Sequence, residues 1–296
     1  MTVMVTGASG PVGHALIPLL ARKDEVRVAV RDAGDADGLR ALGAKVTLDR
    51  LDDAPALAEV LGGVFTLVHL VGGPDQPDDD ALWDANHRSV LRALEAARTA
   101  GVRRFLLVSV PGASPEASAP YLRAKGLAEE AVTTSGLQHA VIRSAPVVGV
   151  GSAWFAAVVA GALESPPVVW GMPDLAVAPV AIGDLAAALA VADDLDADLH
   201  GTWALEGPDV VTARELIGIL SGPVGEPVSL DGEPARQRLS ASFGHEVSPH
   251  LVGSLVHPVR SDAPDAAAFF GIERTPLVDA IETALASATT PGAHDR

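Results

Sequence analysis

The sequence predicts an α/β fold in which a doubly wound parallel sheet carries helices on both faces. The chain has 296 residues, of which 48% are hydrophobic and 20% charged, and such a chain can bury a large core. Apolar runs of strand length alternate with amphipathic stretches of helix length through the first half. Several of these runs are nearly continuous in Val, Leu and Ile, which is typical of strands buried on both faces.

The alternation defines six strands and five helices before about residue 150. Each connection between consecutive strands is long enough to cross over the sheet, as parallel pairing requires. The strands are predicted at Val3–Thr6, Val26–Val30, Lys45–Asp49, Val64–Leu70, Phe105–Ser109 and His139–Arg143, and the helices at Pro11–Arg22, Leu39–Gly43, Asp53–Leu61, Asp79–Ala100 and Pro120–Ser135.

The second half has a looser pattern. One helix is expected to begin at a capping box, in which Thr212 is followed three residues later by Glu215. The stretch from Gly222 to about Pro264 is rich in Gly, Pro and Ser and shows little periodicity, so no element is predicted there. The elements predicted in this half are helices at Trp154–Leu163, Asp184–Ala192, Thr212–Ser221 and Pro276–Ser287 and strands at Val177–Val180 and Thr202–Leu205.

Charge and composition argue against several classes of protein. The chain contains 38 acidic and 21 basic residues, a net charge of −17 that repels nucleic acid and anionic lipid, so neither is expected as a partner. No apolar stretch reaches the ~20 residues of a membrane span, and no basic segment opens the chain as in a signal peptide. Without cysteine, and without suitably spaced histidines, no metal site is expected. A cytoplasmic location is expected.

A glycine motif lies between the first predicted strand and the first predicted helix. The stretch TGASGPVG, residues 6–13, has Gly-x-x-Gly-x-x-Gly spacing. At such a junction glycines allow a tight turn, close approach of a pyrophosphate and close packing of helix on strand. The N-terminus of the helix also offers free N–H groups to phosphates. The sequence therefore predicts a dinucleotide site that includes Thr6, Gly7, Ser9, Gly10, Pro11, Val12 and Gly13.

The residue that ends the second strand of such a site selects the dinucleotide. An acidic residue binds the ribose 2′-hydroxyl of NAD, whereas an arginine holds the 2′-phosphate of NADP. Here Arg31 ends the strand and Asp32 follows it. Arg31 at the ribose favours NADP, and a shift of one residue would bring Asp32 there and favour NAD. NADP is the preferred prediction, with NAD as the alternative.

The single tyrosine of the chain is followed four residues later by one of its three lysines. On the helix predicted there, this spacing brings Tyr121 and Lys125 to one face. A phenol has a pKa of about 10, and a neighbouring ammonium lowers it, so Tyr121 is a candidate general acid or base. Lys125 is also a candidate for binding the nicotinamide ribose. Ser109, at the end of its strand, is predicted to orient the substrate oxygen.

These motifs together resemble the short-chain dehydrogenase/reductase superfamily. The likeness extends over about residues 1–285 and points to the extended and atypical branches, which include nucleoside-diphosphate-sugar epimerase-like and NmrA-like proteins. Besides TGASGPVG, Ser109 and YLRAK, the stretches that carry it are Val68–Gly72, Asn86, AARTAGVRRFLLVSV, VIRSAPVVG, Ala178–Ala186 and LEGPDVVTARELIGIL.

The resemblance implies a domain organisation and further site residues. It implies a dinucleotide-binding Rossmann domain over residues 1–150 and a smaller substrate-binding lobe over 151–296, interleaved so that about residues 177–206 return to the Rossmann core. It also implies that Tyr121, Lys125 and Ser109 act in catalysis. Ser144 stands where the family usually has proline, and Asp49-Arg50-Leu51 where it often has Gly-Asp-Leu against adenine. The further cofactor contacts implied are Leu51, Leu70, Val71, Gly72, Pro146 and Val147.

The function expected from these residues is NADP(H)-dependent transfer of hydride between nicotinamide and a carbonyl or alcohol group of a small molecule. Two alternatives stay open: an epimerase or dehydratase of nucleotide sugars that retains NAD, and a non-catalytic NAD(P)-sensing regulator. The complete Ser/Tyr/Lys set favours an enzyme, and few basic residues in the second half count against a diphosphate substrate. Trp154, Phe155 and Trp170 are expected either to line an apolar substrate pocket or to pack in the core. The oligomeric state is not predicted.

Overall fold

The computed structural model describes residues 1–30, 32–48, 53–196, 198–222, 227–255 and 260–288. Within these ranges, the first half of the chain alternates strands and helices as predicted. The strands are β1 (Thr2–Thr6), β2 (Glu25–Val30), β3 (Lys45–Leu48), β4 (Thr66–His69), β5 (Arg104–Ser109), β6 (Gln138–Ser144), β7 (Val147–Val148), β8 (Val168–Trp170), β9 (Ala176–Val177), β10 (Val180–Ala181), β11 (His200–Leu205), β12 (Val211–Thr212) and β13 (Val228–Leu230).

Most of the predicted helices are also present. The helix predicted at Asp79–Ala100 consists of two α-helical parts joined by one π turn, Asp84–Arg88, and a 3₁₀ turn at Ala33–Asp35 precedes the second helix. The helices are α1 (Pro11–Leu20), α2 (Ala36–Ala41), α3 (Ala54–Val60), α4 (Asp79–Trp83), α5 (Ser89–Ala100), α6 (Pro120–Thr133), α7 (Ala153–Ala162), α8 (Ile182–Asp194), α9 (Ala213–Ser221), α10 (Gly232–Phe243), α11 (Pro249–Leu255), α12 (Ala266–Phe270) and α13 (Leu277–Ala288).

Seven parallel strands form the central sheet, in the order β11-β6-β5-β4-β1-β2-β3. The chain begins in the middle of the sheet, extends to one edge through β2 and β3, and returns to the other side of β1 with β4. The predicted doubly wound α/β fold is confirmed. At the switch between β1 and β4 the loops diverge at the carboxyl ends of the strands, where ligands bind in such folds.

Two apolar cores hold helices on the two faces of the sheet. One contains buried residues of α1, α2, α8 and α12, represented by Leu16, Leu39, Leu189 and Phe270. The other contains buried residues of α3, α5 and α6. Since both faces are covered, the central strands are apolar along their whole length, which explains why the sequence predicted them well.

The later part of the chain adds short strand pairs and helices beside the sheet. The strand pairs are β7–β10, β8–β13 and β9–β12, and two further apolar cores join α7 to α9 and α13 and to α10 and α11. The sequence did not predict β13, α10 or α11. The strand predicted at Val177–Val180 is divided, because Pro179 has no N–H to donate to a strand partner. The helix predicted at Leu39–Gly43 begins earlier, at Ala36.

In the second half, β11 returns to the central sheet beside β6. The capping box at Thr212 and Glu215 is confirmed, with reciprocal hydrogen bonds between each side chain and the other residue's backbone N–H. Of the helices in the described ranges, none has both the length and the apolar character needed to cross a bilayer. Among the same residues, no three His, Asp or Glu side chains form a cluster that could hold a metal ion.

Candidate functional site

A cavity of about 430 Å³ lies at the carboxyl ends of β1, β4, β5 and β6. We define its sheet side as the lining residues up to Val147 and its C-terminal side as the lining residues after 150. The sheet side is lined by Gly7, Gly10, Pro11, Val12, Gly13, Leu70, Gly72, Gly73, Pro74, Asp75, Gln76, Val108, Ser109, Val110, Pro111, Tyr121, Leu122, Lys125, Ser144, Ala145, Pro146 and Val147, and the C-terminal side by Gly151, Ser152, Ala153, Trp154, Leu185, Leu251 and Ser254.

The glycine loop, residues 7–13, is a turn in which two positions accept no residue other than glycine. Gly7 has φ +72°, and a Cβ there would lie 2.7 Å from the carbonyl carbon of Leu70. A Cβ on Gly13 would lie 2.2 Å from the carbonyl oxygen of Ala8. The first turn of α1 carries no acidic residue and no side-chain cap, so its free N–H groups and positive dipole end are available to an anion.

The loop that follows β4 is fixed by a buried asparagine. The Asn86 amide donates to the Gly73 carbonyl at 2.9 Å and to the Leu82 carbonyl at 3.0 Å, and its Oδ1 accepts from the Gly73 N–H at 2.9 Å. Gly72 has φ +125°, and a Cβ there would lie 2.6 Å from that oxygen. Asn86 lies in the π turn, a distortion often found at functional sites. Its amide therefore holds the loop along the cavity.

Thr6 lies beneath the glycine loop and does not line the cavity. Its hydroxyl is 2.9 Å from Nδ1 of His69, whose Nε2 is 3.2 Å from the Ser89 hydroxyl, and Ser89 donates to the Ala85 carbonyl. Because the Ser89 proton is used there, His69 donates from Nε2 and accepts from Thr6 at Nδ1. Burial, with a smaller contribution from the Lys125 charge, lowers the pKa of His69 to about 3. A neutral imidazole therefore supports the loop.

The three residues predicted to be catalytic lie together on the sheet side. Tyr121 and Lys125 are only 9% and 6% exposed, and Ser109 is fully buried. Lys125 Nζ donates to the Val108 carbonyl at 3.0 Å. The Ser109 hydroxyl has no hydrogen-bond partner among the described residues. Leaving a buried hydroxyl unpaired costs about 1–3 kcal/mol of folding free energy, so this hydroxyl is a candidate to bind a ligand.

The pKa values of this group correct one expectation. Burial raises the pKa of the Tyr121 phenol above its usual value, and the Lys125 ammonium, which faces the Val108 carbonyl, does not offset that effect. The prediction that Lys125 lowers the tyrosine pKa is therefore wrong for this structure. Burial also lowers the pKa of Lys125 to about 8, although Glu129 one turn along opposes this. Tyr121 is consequently a neutral phenol near pH 7 that holds its proton more tightly than a free phenol does.

An ion pair fixes the helix that carries Tyr121 and Lys125. Arg143 of β6 donates to both carboxylate oxygens of Glu129 on α6, at 2.7 to 3.2 Å, and also to the Ala113 carbonyl at 3.2 Å. Bidentate pairs of this kind constrain orientation as well as distance. A Cβ on Gly126 would lie 2.1 Å from the Ser114 carbonyl carbon, so the helix also packs directly on the loop after β5.

The structure brings most of the predicted site residues to one cavity. Thr6, Ser9 and Val71 do not line it, Ser9 being exposed, and Arg31 and Leu51 lie outside the described residues. The predicted residues that line the cavity are Gly7, Gly10, Pro11, Val12, Gly13, Leu70, Gly72, Ser109, Tyr121, Lys125, Pro146 and Val147.

Sequence reasoning missed the segment that joins the two sides. Ser248 donates its backbone N–H to Asp75 and its hydroxyl to the Pro74 carbonyl, both at 2.9 Å, and caps α11 by accepting from the Leu251 N–H. The pair Ser248-Pro249 is a helix-start signal that could have revealed this helix. Of the three aromatic residues considered for a pocket, Trp154 lines the cavity, whereas Phe155 and Trp170 are buried in apolar cores.

Comparison with known proteins identifies relatives of the same fold. Residues 7–148 match the family described as NAD(P)H-binding. A (4-alkanoyl-5-oxo-2,5-dihydrofuran-3-yl)methyl phosphate reductase of Streptomyces griseus is 29% identical over 81% of this chain and 81% of that protein. An uncharacterised sugar epimerase of Bacillus subtilis is 30% identical over 48% of this chain and 71% of that protein. UDP-glucuronic acid 4-epimerase of Bacillus cereus, solved with UDP-glucuronic acid and NAD, superposes with TM-score 0.73 at 18% identity, over 96% of this chain and 98% of that one.

The described residues of the cavity fit a dinucleotide. The glycine loop leaves the space that a Cβ would fill at Gly7 and Gly13, and the first turn of α1 presents free N–H groups to a pyrophosphate. The unpaired Ser109 hydroxyl and the Tyr121 phenol mark the part of the cavity where a reacting group would be bound.

Proposed function

This chain belongs to the short-chain dehydrogenase/reductase superfamily and contains an NAD(P)H-binding Rossmann domain, and we propose that it is an oxidoreductase. In this proposal it reduces the carbonyl group of a small molecule with NADPH and catalyses the reverse oxidation. The proposal depends on one observation: Tyr121, Lys125 and Ser109 line the same cavity as the glycine loop. When bound, the nicotinamide supplies or accepts the hydride.

The sheet side provides the groups that would hold the cofactor. Backbone N–H groups of the glycine loop and of the first turn of α1 face the pyrophosphate, while Leu70, Gly72, Pro146 and Val147 supply contact surface. An ammonium has three N–H donors, and Lys125 uses one on the Val108 carbonyl. The other two are available for the hydroxyls of the nicotinamide ribose.

Tyr121 acts as the proton donor to the substrate oxygen. Its phenol is protonated near pH 7 and has no hydrogen-bond partner in the described part of the chain, so it is free to bind the carbonyl oxygen. The unpaired Ser109 hydroxyl donates a second hydrogen bond to the same oxygen and stabilises the negative charge that develops there.

The decisive variant is Tyr121→Phe, which removes only the hydroxyl. Turnover is expected to fall at least ~100-fold because the proton donor is lost, while affinity for NADPH is unchanged. Nicotinamide absorbance with a panel of ketones, aldehydes and quinones measures the first, and calorimetric titration with NADPH the second. Unchanged turnover would exclude Tyr121 as the donor.

NADP is the proposed cofactor because Arg31 directly follows the second strand in the sequence and its guanidinium suits a 2′-phosphate. The next residue, Asp32, accepts the Gly34 N–H at 2.8 Å through Oδ1 and caps the 3₁₀ turn. Arg31→Ala is expected to weaken NADP binding at least ~10-fold and NAD binding little. Equal weakening of both would contradict this preference.

The two alternative functions predict other results for the purified protein. An epimerase or dehydratase of nucleotide sugars would carry tightly held NAD that is released on denaturation. A regulator would bind NADPH stoichiometrically without oxidising it and would capture a specific protein partner. With the glycine loop holding the cofactor pyrophosphate, the described lining offers a second diphosphate one cationic side chain, Lys125, which disfavours a nucleotide sugar.

A further inference from the structure

The C-terminal side of the cavity offers a ligand mainly hydrocarbon surface. Trp154, Leu185 and Leu251 contribute large apolar side chains. The two hydroxyls on this side are already satisfied within the protein, because Ser152 donates to the Val147 carbonyl and Ser254 to the Leu251 carbonyl, each at 2.7 Å. A bound group on this side is therefore held mainly by apolar contact.

The charges in the described lining disfavour an anionic substrate. Apart from Tyr121, the ionisable lining residues are Lys125 and Asp75. Lys125 is bonded to the Val108 carbonyl and serves the ribose in the proposed function. Asp75 accepts the Ser248 N–H through one oxygen, has the His245 imidazole 3.5 Å from the other, and remains 28% exposed, so its carboxylate places a negative charge at the cavity. A substrate anion would lose its water near this charge without gaining a cation.

A second, smaller cavity of about 30 Å³ also borders Trp154. All the residues that line it are apolar, among them Val158, Trp170 and Leu216, and Trp154 lines both cavities. Helix α11 likewise contributes Leu251 to the first cavity and Leu255 to the second. Trp154 is thus shared by the lining of the two cavities.

We infer that the substrate is an uncharged carbonyl compound with an apolar chain, that the chain binds against Trp154, and that Trp154 limits its length by separating the two cavities. The nature of the reacting group rests on the proposed function. The binding of the apolar chain does not, because it depends only on the walls of the cavity.

Binding of two matched series of probes tests this inference. Linear methyl ketones from butanone to decanone, and keto acids of the same lengths that end in a carboxylate, are titrated by calorimetry into protein saturated with NADP⁺. Ketone affinity is expected to rise about fourfold per methylene up to a limiting length, and the keto acids are expected to bind at least ~10-fold more weakly. Failure of the ketones to bind, or equal binding of the keto acids, would overturn the inference.

Substitutions at Trp154 and at Asp75 test the two parts of the inference separately. Trp154→Ala is expected to move the limiting length to longer chains by joining the cavities, with Trp154→Phe intermediate and informative should the alanine variant fold poorly. Trp83→Ala is the matched control, since Trp83 lines neither cavity. Asp75→Asn keeps an acceptor for Ser248 but removes the charge, so it should strengthen keto acid binding severalfold and leave ketone binding unchanged.

The outcomes distinguish this inference from the proposed function. An unchanged limiting length in both Trp154 variants would remove the indole as the determinant of length. An unchanged preference for ketones in Asp75→Asn would remove the carboxylate as the source of discrimination. Ketones that bind in the expected order but are not reduced by NADPH would contradict the proposed function and leave the apolar binding site established.

Discussion

The two sides of the cavity are built from different materials. The sheet side depends on backbone geometry: at Gly7, Gly13 and Gly72 a Cβ would collide with neighbouring atoms that cannot move aside. The C-terminal side depends on apolar side chains, such as Trp154 and Leu251, that fill space. A backbone turn tolerates few substitutions, whereas an apolar wall accepts others of similar volume at small cost. The first side is therefore the more constrained of the two.

The largest effect is expected on the glycine loop. In Gly13→Ala, the new Cβ would lie 2.2 Å from the Ala8 carbonyl oxygen. The turn must open, so NADPH affinity should fall at least ~100-fold and the free energy of unfolding by about 2–4 kcal/mol. Calorimetry and denaturant titration measure the two effects.

The matched control is Gly38→Ala, at a helical position with no neighbouring atom within 4 Å. It should leave NADPH affinity unchanged and increase stability by up to ~1 kcal/mol, because alanine favours the helix. If Gly13→Ala and Gly38→Ala changed NADPH affinity and stability to the same extent, the backbone of the glycine loop would not be the reason for the loss.

The next largest effect is expected in Lys125→Met, a variant of the sheet side that should be more stable than the parent protein at pH 7. Burial lowers the pKa of Lys125 from 10.5 to about 8, so the folded state binds this proton less tightly than the unfolded state. Stability is therefore lost as pH falls from 10.5 towards 8, and the loss persists below that. In Lys125→Met the free energy of unfolding at pH 7 should rise by up to ~3 kcal/mol from the removal of the buried charge. The lost hydrogen bond to the Val108 carbonyl should reduce this gain by ~1 kcal/mol. Above the ordinary pKa of lysine the gain should vanish, because the side chain is neutral in both the folded and the unfolded state. Denaturant titrations across this pH range measure it, and lower stability at pH 7 would contradict it.

A smaller effect is expected at the clamp on the loop after β4. Asn86→Ala removes three hydrogen bonds and leaves the Gly73 N–H and carbonyl unpaired, so stability should fall by about 2 kcal/mol and NADPH affinity ~10-fold. Asn86→Asp keeps the acceptor for the Gly73 N–H but loses the donors, so it separates the two contributions. Unaltered cofactor affinity in both would show that the loop keeps its position without the clamp.

The smallest effect is expected where the two sides meet. Ser248→Ala removes the cap of α11 and the bond to the Pro74 carbonyl, at an expected cost of about 1 kcal/mol, with NADPH affinity unchanged because the glycine loop is not involved. Ser242→Ala is the control, since that hydroxyl bonds only to the carbonyl of Arg238 in its own helix. A large loss of cofactor affinity in Ser248→Ala would mean that the sides are not independent.

The same contrast explains what the sequence predicted. The strands before residue 150 were predicted because burial on both faces leaves an unbroken apolar signal. The glycine loop and the Tyr121/Lys125 pair were predicted because their chemistry requires a fixed spacing along one element. Arg31 and Leu51, the two residues expected at the ribose and adenine, lie outside the described residues.

Helices α10 and α11 and the short strands of the second half were not predicted from the sequence, with one exception at Val177, for physical reasons. Helix α10 buries only Ala235 and Leu239, and its Arg236 pairs with Glu233 and Glu246, so it carries little apolar periodicity. The two-residue strands there are too short to show alternation. The raised tyrosine pKa was missed because burial arises from the packing of distant segments, which spacing on one helix does not reveal.

The loop from Leu70 to Gln76 is held at three consecutive residues by side chains and backbone of two different elements. Asn86 holds it at Gly73, and Ser248 at the start of α11 holds it at Pro74 and Asp75. Any coupling between ligands on the two sides would pass through the ordering of this loop. Thermodynamic reciprocity would make the effect of each ligand on the affinity of the other equal, so such coupling favours neither order of loading.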